Sequence, residues 1–225
     1  IYSFPNCNTE IVMPYKLYNR TGSGGFVVEA ALTLAGQPFE LVAMETKPGT
    51  PLPESFREIN PWRQVPVLIA DDGLMMTETA AILIYLANLY PGDDVGPKIG
   101  TKEYATFLRW IVFLSANVYE GRLRWAYPER YTSDENGAAG VRSAALERNA
   151  KAFAVFENEL QVEEFLLGSG MSVADVYFAM LFAWHRDSTG FPRCEALTHR
   201  VAGHPVVAPL WHRNFDHRMT VQWGR

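Results

Sequence analysis

Two hydrophobic rhythms divide this chain. Up to about residue 90, short β-type runs alternate with stretches of helical spacing; from about Thr101 onward the apolar residues keep helical spacing throughout. Residues 15–18 form a short β-prone run, broken by Thr21-Gly22-Ser23-Gly24-Gly25. Within 26–35, Val27, Ala30, Ala31 and Leu34 recur at helical intervals, and Gly36 is a natural stop. Residues 39–44 predict a second strand, which makes a βαβ unit with a parallel pair and a right-handed crossover. A loop rich in Pro and Gly spans 47–53; then 65–70 and 74–76 predict a hairpin around Asp72-Gly73. The helix predicted over 80–89 is apolar nearly all round, so it should be buried on two sides.

Pro91-Gly92-Asp93-Asp94 ends that helix and leads into a linker. Beyond it the pattern predicts one long helix over 102–125, another over 141–160 and a third over 173–185, with helix and loop after Pro192. The third helix has the best local start signal in this half. Ser172-Val173-Ala174-Asp175 is a capping box with Asp at its fourth position, and Met171 and Val176 are placed as its hydrophobic staple. A structural role accounts for these residues in full. The organisation is therefore an α/β domain over 13–92, a linker over 93–100 and an all-helical domain over 101–225. Residues 1–12 precede Met13, which reads like a domain start. They lack a basic beginning and a continuous apolar core, and read as an extension or remnant outside the fold rather than a signal peptide.

Composition narrows the function classes only a little. Of 225 residues, 48% are hydrophobic and 20% charged, which suits a globular protein with a sizeable core. A net charge of −5 weighs against a nucleic-acid surface, and no apolar run of about 20 residues predicts a membrane span. Two cysteines, Cys7 and Cys194, give neither a disulfide framework nor metal-type spacing, so a reducing, cytoplasmic setting is the simplest expectation. No metal is expected, since the five histidines are not paired with acids at ligand spacing on a predicted helix.

The candidate chemistry lies in Gln64-Val65-Pro66-Val67-Leu68 and in Thr77-Glu78-Thr79-Ala80. A proline in an apolar β-type run removes a ladder donor and belongs at an edge or bulge. An acid and a hydroxyl residue open the next helix. Together they offer a backbone edge to an extended peptide beside a helix N-terminus able to take its carboxylate. A plain N-cap with a solvated acid would show the same pair. The glycine-rich loop is no nucleotide motif: it lacks dinucleotide spacing and a P-loop lysine.

The order Lys16-Leu17-Tyr18, Asn60-Pro61, Gln64-Val65-Pro66, Glu78-Thr79 and Ser172-Val173-Ala174-Asp175-Val176-Tyr177 resembles the glutathione transferases over essentially all of the chain from Met13. With Trp184 after the capping box, it is most similar to the bacterial beta-type members. The resemblance implies a thioredoxin-like domain followed by a helical one, and a two-fold homodimer. It implies that Gln64, Val65 and a cis Pro66 present backbone to the cysteinyl part of glutathione, and that Glu78 and Thr79 hold its γ-glutamyl end. Lys47 is a candidate for the glycine carboxylate, although a loop lysine is as readily just solvated.

One departure bears on mechanism. Beta-type proteins carry a catalytic cysteine after the first strand, and an ungapped count from Ala35-Gly36 puts Gly24 there. A mixed-disulfide mechanism is therefore not expected. Arg63 also stands where many relatives have glycine. A cysteine-type thiol titrates near about 8.5, so a transferase must stabilise the thiolate by a hydroxyl and the first helix N-terminus. Ser23 is the leading hydroxyl candidate, then Thr21, then Tyr18; the backbone of Gly24 and Gly25 could also serve alone. A second-substrate pocket is expected between the domains, walled by Tyr18, Phe113, Tyr119 and Trp184; Tyr119 aligns with a polar active-site position of the beta-type proteins. The expected function is conjugation of glutathione to a small hydrophobic electrophile. The alternative is a non-catalytic glutathione- or ligand-binding or interaction member of the same fold.

Overall fold

The computed structural model describes residues 15–45, 50–92, 94–161, 164–168, 170–185 and 187–222. Its N-terminal part is a four-stranded mixed sheet of order β2-β1-β3-β4. β1 (Tyr15–Asn19) runs parallel to β2 (Phe39–Ala43), and Tyr15 is opposite Phe39. β3 (Val67–Ala70) is antiparallel to β1, with Tyr18 opposite Val67, and β4 (Met75–Met76) completes the hairpin. The crossover helix α1 (Gly25–Leu34) buries Phe26, Val27, Val28, Ala30, Ala31 and Leu32 almost completely. Such a helix, apolar on nearly every side, needs cover from two directions. The sheet supplies one and the helical domain the other.

β3 begins at Val67, two residues later than the pattern predicts. The Val65–Pro66 peptide is cis and the proline has no N–H for the ladder, so Val65 and Pro66 stay outside the strand. α2 (Thr79–Leu89) follows, with Ile82, Leu83, Leu86 and Ala87 buried.

The long helix predicted over 102–125 forms, but it is not α-helical throughout. α3 (Lys102–Phe113) is capped by the Thr101 hydroxyl, which accepts from the Tyr104 N–H at 3.1 Å. A π-helical turn over Leu114–Tyr119 then leads into α4 (Glu120–Ala126). One extra residue in a turn shifts the faces of everything beyond it, and apolar spacing alone does not register such a turn. α5 (Ala138–Glu159), α6 (Val173–Ala183), α7 (Pro192–Ala202) and α8 (Ala208–Gln222) complete the domain.

α6 is buried along its whole length. Phe153, Phe156, Phe178 and Phe182 pack in edge and stacked pairs 4.8–6.5 Å apart and fill the space between α5 and α6. The expected capping box is present, with Asp175 accepting from Ser172. The domains share one core. Phe26 of α1 meets Trp211 and Phe215 of α8 at 5.7 and 4.9 Å, and Arg213 of α8 pairs with the buried Glu29 of α1.

Candidate functional site

The site forms where β1 hands the chain to α1. Alternation along β1 buries Tyr15, Leu17 and Asn19 on one face and turns Lys16 and Tyr18 to the other. Asn19 therefore points beneath the glycine-rich loop. Its Oδ1 accepts from the Arg20 N–H at 2.7 Å and from the Ser23 hydroxyl at 2.8 Å. Ser23 Oγ in turn accepts from the Gly25 N–H at 3.3 Å. From α8, Asn214 Oδ1 accepts the Gly22 N–H at 2.8 Å. The Thr21 hydroxyl and N–H both donate to Glu45, at 2.7 and 3.0 Å. These bonds hold carboxylate Glu45 below the usual range. The loop is thus braced from β1, from α8 and from the segment after β2.

Two glycines make the close approach possible. A Cβ on Gly25 would stand 1.9 Å from Asn19 Oδ1, so only glycine fits there. A Cβ on Gly24 would stand 2.6 Å from the Tyr119 hydroxyl oxygen and 2.9 Å from Thr79 Oγ1. The space over Gly24, the position the sequence count sets against the beta-type cysteine, is filled by Tyr119 of the helical domain and by Thr79.

The second strut is the loop before β3. Buried Asn60 donates from Nδ2 to the Gln64 carbonyl at 2.8 Å and accepts the Trp62 N–H at 3.0 Å. Arg63 takes a left-handed backbone, φ 53°. Its guanidinium compensates by donating to the Leu52 carbonyl at 3.1 Å and to Glu54 at 2.6 Å. Among the described residues the Val65 N–H and C=O have no partner, so a backbone edge stands open beside Pro66. Glu78 also takes a left-handed conformation, φ 65°, immediately before α2. A bulky acid held there is a strained residue of the sort that persists at ligand clamps. Thr79, buried at the first position of α2, reaches the Gly24 carbonyl at 3.5 Å.

All of this opens into one cavity of about 610 Å³ between the domains. Thr21, Ser23, Gln64, Val65, Pro66, Glu78 and Thr79 line one side, and Tyr119 and Trp184 line the other with their rings 5.4 Å apart. Burial pushes the Tyr119 phenol up to about 12, opposed by the Gly24 N–H acting on its oxygen. Lys47 lies outside the described residues.

Two expected wall residues are elsewhere. Tyr18 faces the opposite side of the sheet, packed on Phe56 at 5.8 Å with Leu52 and Val67, because strand alternation turns it from Asn19. Phe113 packs in the helical core against Trp110 and Phe156 at 5.9 and 5.5 Å. Arg20, Arg122, Tyr127 and Arg130 line the cavity without having been expected. Glu45, Glu78 and Glu120 line it too, so the wall is aromatic and charged rather than simply apolar. Asn19 and Asn214 were also missed; Asn19 was legible as the next inward position of β1, whereas nothing local marks Asn214.

The chain matches the glutathione S-transferase N-terminal domain family over residues 17–94 and the corresponding C-terminal domain family over residues 121–203. It is 30% identical over 171 residues to the uncharacterised GST-like protein YncG of Escherichia coli strain K12, covering 75% of this chain and 81% of that one.

The chain belongs to the glutathione transferase family.

Solved transferases agree in shape. A bacterial beta class glutathione S-transferase of Sphingomonas chungbukensis is 25% identical, with a TM-score of 0.74 over 89% of this chain and 98% of that one. A sphingomonad glutathione S-transferase complexed with glutathione is 26% identical, with a TM-score of 0.72 over 87% and 96%. The mixed-sheet domain, the helical domain and the enzyme class expected of this transferase are those found. Among the described residues no group of His, Cys, Asp or Glu is arranged to hold a metal, and no helix is long and apolar enough to cross a membrane.

Proposed function

We propose that this transferase conjugates the thiolate of glutathione to a small hydrophobic electrophile, as a cytoplasmic, detoxifying homodimer. The observation carrying this reading is the convergence on one cavity of an open backbone edge at Val65–Pro66, an acid–hydroxyl pair at Glu78–Thr79, and the Arg20–Ser23 loop that leads into α1. Glutathione is an extended peptide with an ammonium and a carboxylate at its γ-glutamyl end. Val65 pairs with the cysteinyl unit by backbone bonds. Glu78 meets the ammonium, and Thr79 with the first turn of α2 meets the carboxylate. Lys47 serves the glycine carboxylate.

These anchors leave the sulfur beside the α1 N-terminus, facing Tyr119 and Trp184. The electrophile then enters along that aromatic wall, and the rate gain comes from thiolate stabilisation and from fixing both reactants. Isomerisation, dehalogenation or peroxide reduction would use the same thiolate. The test is conjugation to a generic aryl halide followed with purified protein, alongside Glu78→Gln. Measurable turnover that collapses in the variant supports the reading, and turnover indifferent to Glu78 refutes it.

A second reading, glutathione binding without catalysis, draws on one specific feature: Gly24 carries no thiol, and the Ser23 and Thr21 hydroxyl protons are given to Asn19 and Glu45. Binding without turnover of any electrophile would select it.

A further inference from the structure

We propose that the Tyr119 hydroxyl, reaching from the helical domain, is the hydrogen-bond donor that stabilises the glutathione thiolate. This inference rests on the transferase reading above. It starts from what the loop hydroxyls do. Ser23 donates to Asn19 and Thr21 donates to Glu45, so neither proton is left for the cavity.

The Tyr119 oxygen, by contrast, occupies the space into which a side chain at position 24 would project, 2.6 Å from where its Cβ would stand. The phenol replaces, from across the domain boundary, the group that a residue after the first strand would otherwise contribute. Its oxygen is approached by the Gly24 N–H, which acts on it as a donor. Burial raises the phenol to about 12, so the proton is retained at any physiological pH and can be donated. Tyr119 also ends the π-helical turn of Leu114–Tyr119, a local irregularity that often accompanies functional residues.

Gly24 and Tyr119 are therefore complementary. The missing side chain makes room for the phenol, and the phenol makes any side chain at 24 a clash. In the reaction the thiol proton leaves to solvent on binding and the sulfur accepts the Tyr119 O–H bond. The sulfur then forms the C–S bond as the halide or other leaving group departs with its electron pair. Tyr119 stays protonated throughout.

The experiment titrates the bound thiol by its thiolate ultraviolet absorbance in the wild type, Tyr119→Phe, Gly24→Ala and the double variant, with conjugation rates over the same pH range. A charge-assisted bond of this kind is worth about one pKa unit, so Tyr119→Phe raises the bound thiol by roughly that much. With glutathione saturating, its conjugation rate then falls at neutral pH and recovers in alkali, while affinity for the protonated thiol, measured at acid pH, changes by less than about twofold. Gly24→Ala displaces the phenol from the other side and gives the same shift, but adds little in the Tyr119→Phe background. That non-additivity is a readout a merely structural tyrosine would not produce. A Tyr119→Phe thiol that titrates as in the wild type overturns the role of Tyr119 while leaving the transferase reading intact. A wild-type complex whose thiol titrates like free glutathione overturns both.

Discussion

The buried carboxylate of Asp175 gives the fold a quantitative test. Its Oδ1 accepts the Leu166 N–H at 2.7 Å, and Oδ2 accepts the Ser172 N–H and hydroxyl, both at 2.8 Å. The side chain is fully buried at the start of α6. Asp175→Ala leaves three donors without an acceptor where water does not reach, at about 1–3 kcal/mol each. Relief from burying a carboxylate offsets part of this, so a net loss of about 3–4 kcal/mol is expected. For a chain of this size that lowers the melting temperature by roughly 10 °C.

Burial raises Asp175 to about 6 against a reference of 3.8, while its donors hold it from rising further. The folded state thus binds the proton more tightly than the unfolded state. This group contributes most below about pH 4, and the contribution is lost as pH rises through about 6. Denaturant unfolding of wild type and Asp175→Ala across that range should show the gap narrowing as pH rises. Asp175→Asn, which cannot titrate, should lack this contribution to the pH slope. A loss under about 1 kcal/mol, or a gap that widens with pH, would refute the reasoning.

Three further outcomes are expected, two at the site and one at the α1–α8 contact. Glu78→Gln removes the charge facing the glutathione ammonium and should weaken binding about tenfold by calorimetry, with little effect on melting. Asn19→Ala frees both Ser23 and the Arg20 N–H, so it should reduce glutathione turnover more than Ser23→Ala, measured side by side. Arg213→Ala leaves Glu29 buried and unpaired; since burial already raises that acid and Arg213 opposes the rise, its folded pKa climbs further. The loss, about 1–2 kcal/mol because Arg213 is half exposed, should be fullest at neutral pH and shrink as acid reprotonates Glu29.

Much of this was legible along the chain because it is local. The βαβ unit, the Asp72-Gly73 turn and the Ser172–Asp175 box are set by neighbours within a few residues, and each forms where spacing puts it. Val65-Pro66 and Glu78-Thr79 were readable for the same reason, since each uses its own backbone. What escaped depends on distant contacts. The π turn is a one-residue shift that apolar spacing does not encode, and it helps decide that Tyr119 faces the cavity while Phe113 faces α5. Tyr18 was misplaced because a strand residue declares its alternation but not which face is the site. Ser23 looked reactive until Asn19, four residues back, was seen to take its proton. Asn214, almost two hundred residues from Gly22, carries no local mark at all.

The central claim is that this cavity makes a thiolate of bound glutathione. Calorimetric titration with glutathione near neutral pH, in two buffers of different ionisation enthalpy, reads this directly. Binding heats that differ between the buffers by the amount expected for a released proton are predicted. Binding with identical heats, or no binding, would contradict the account.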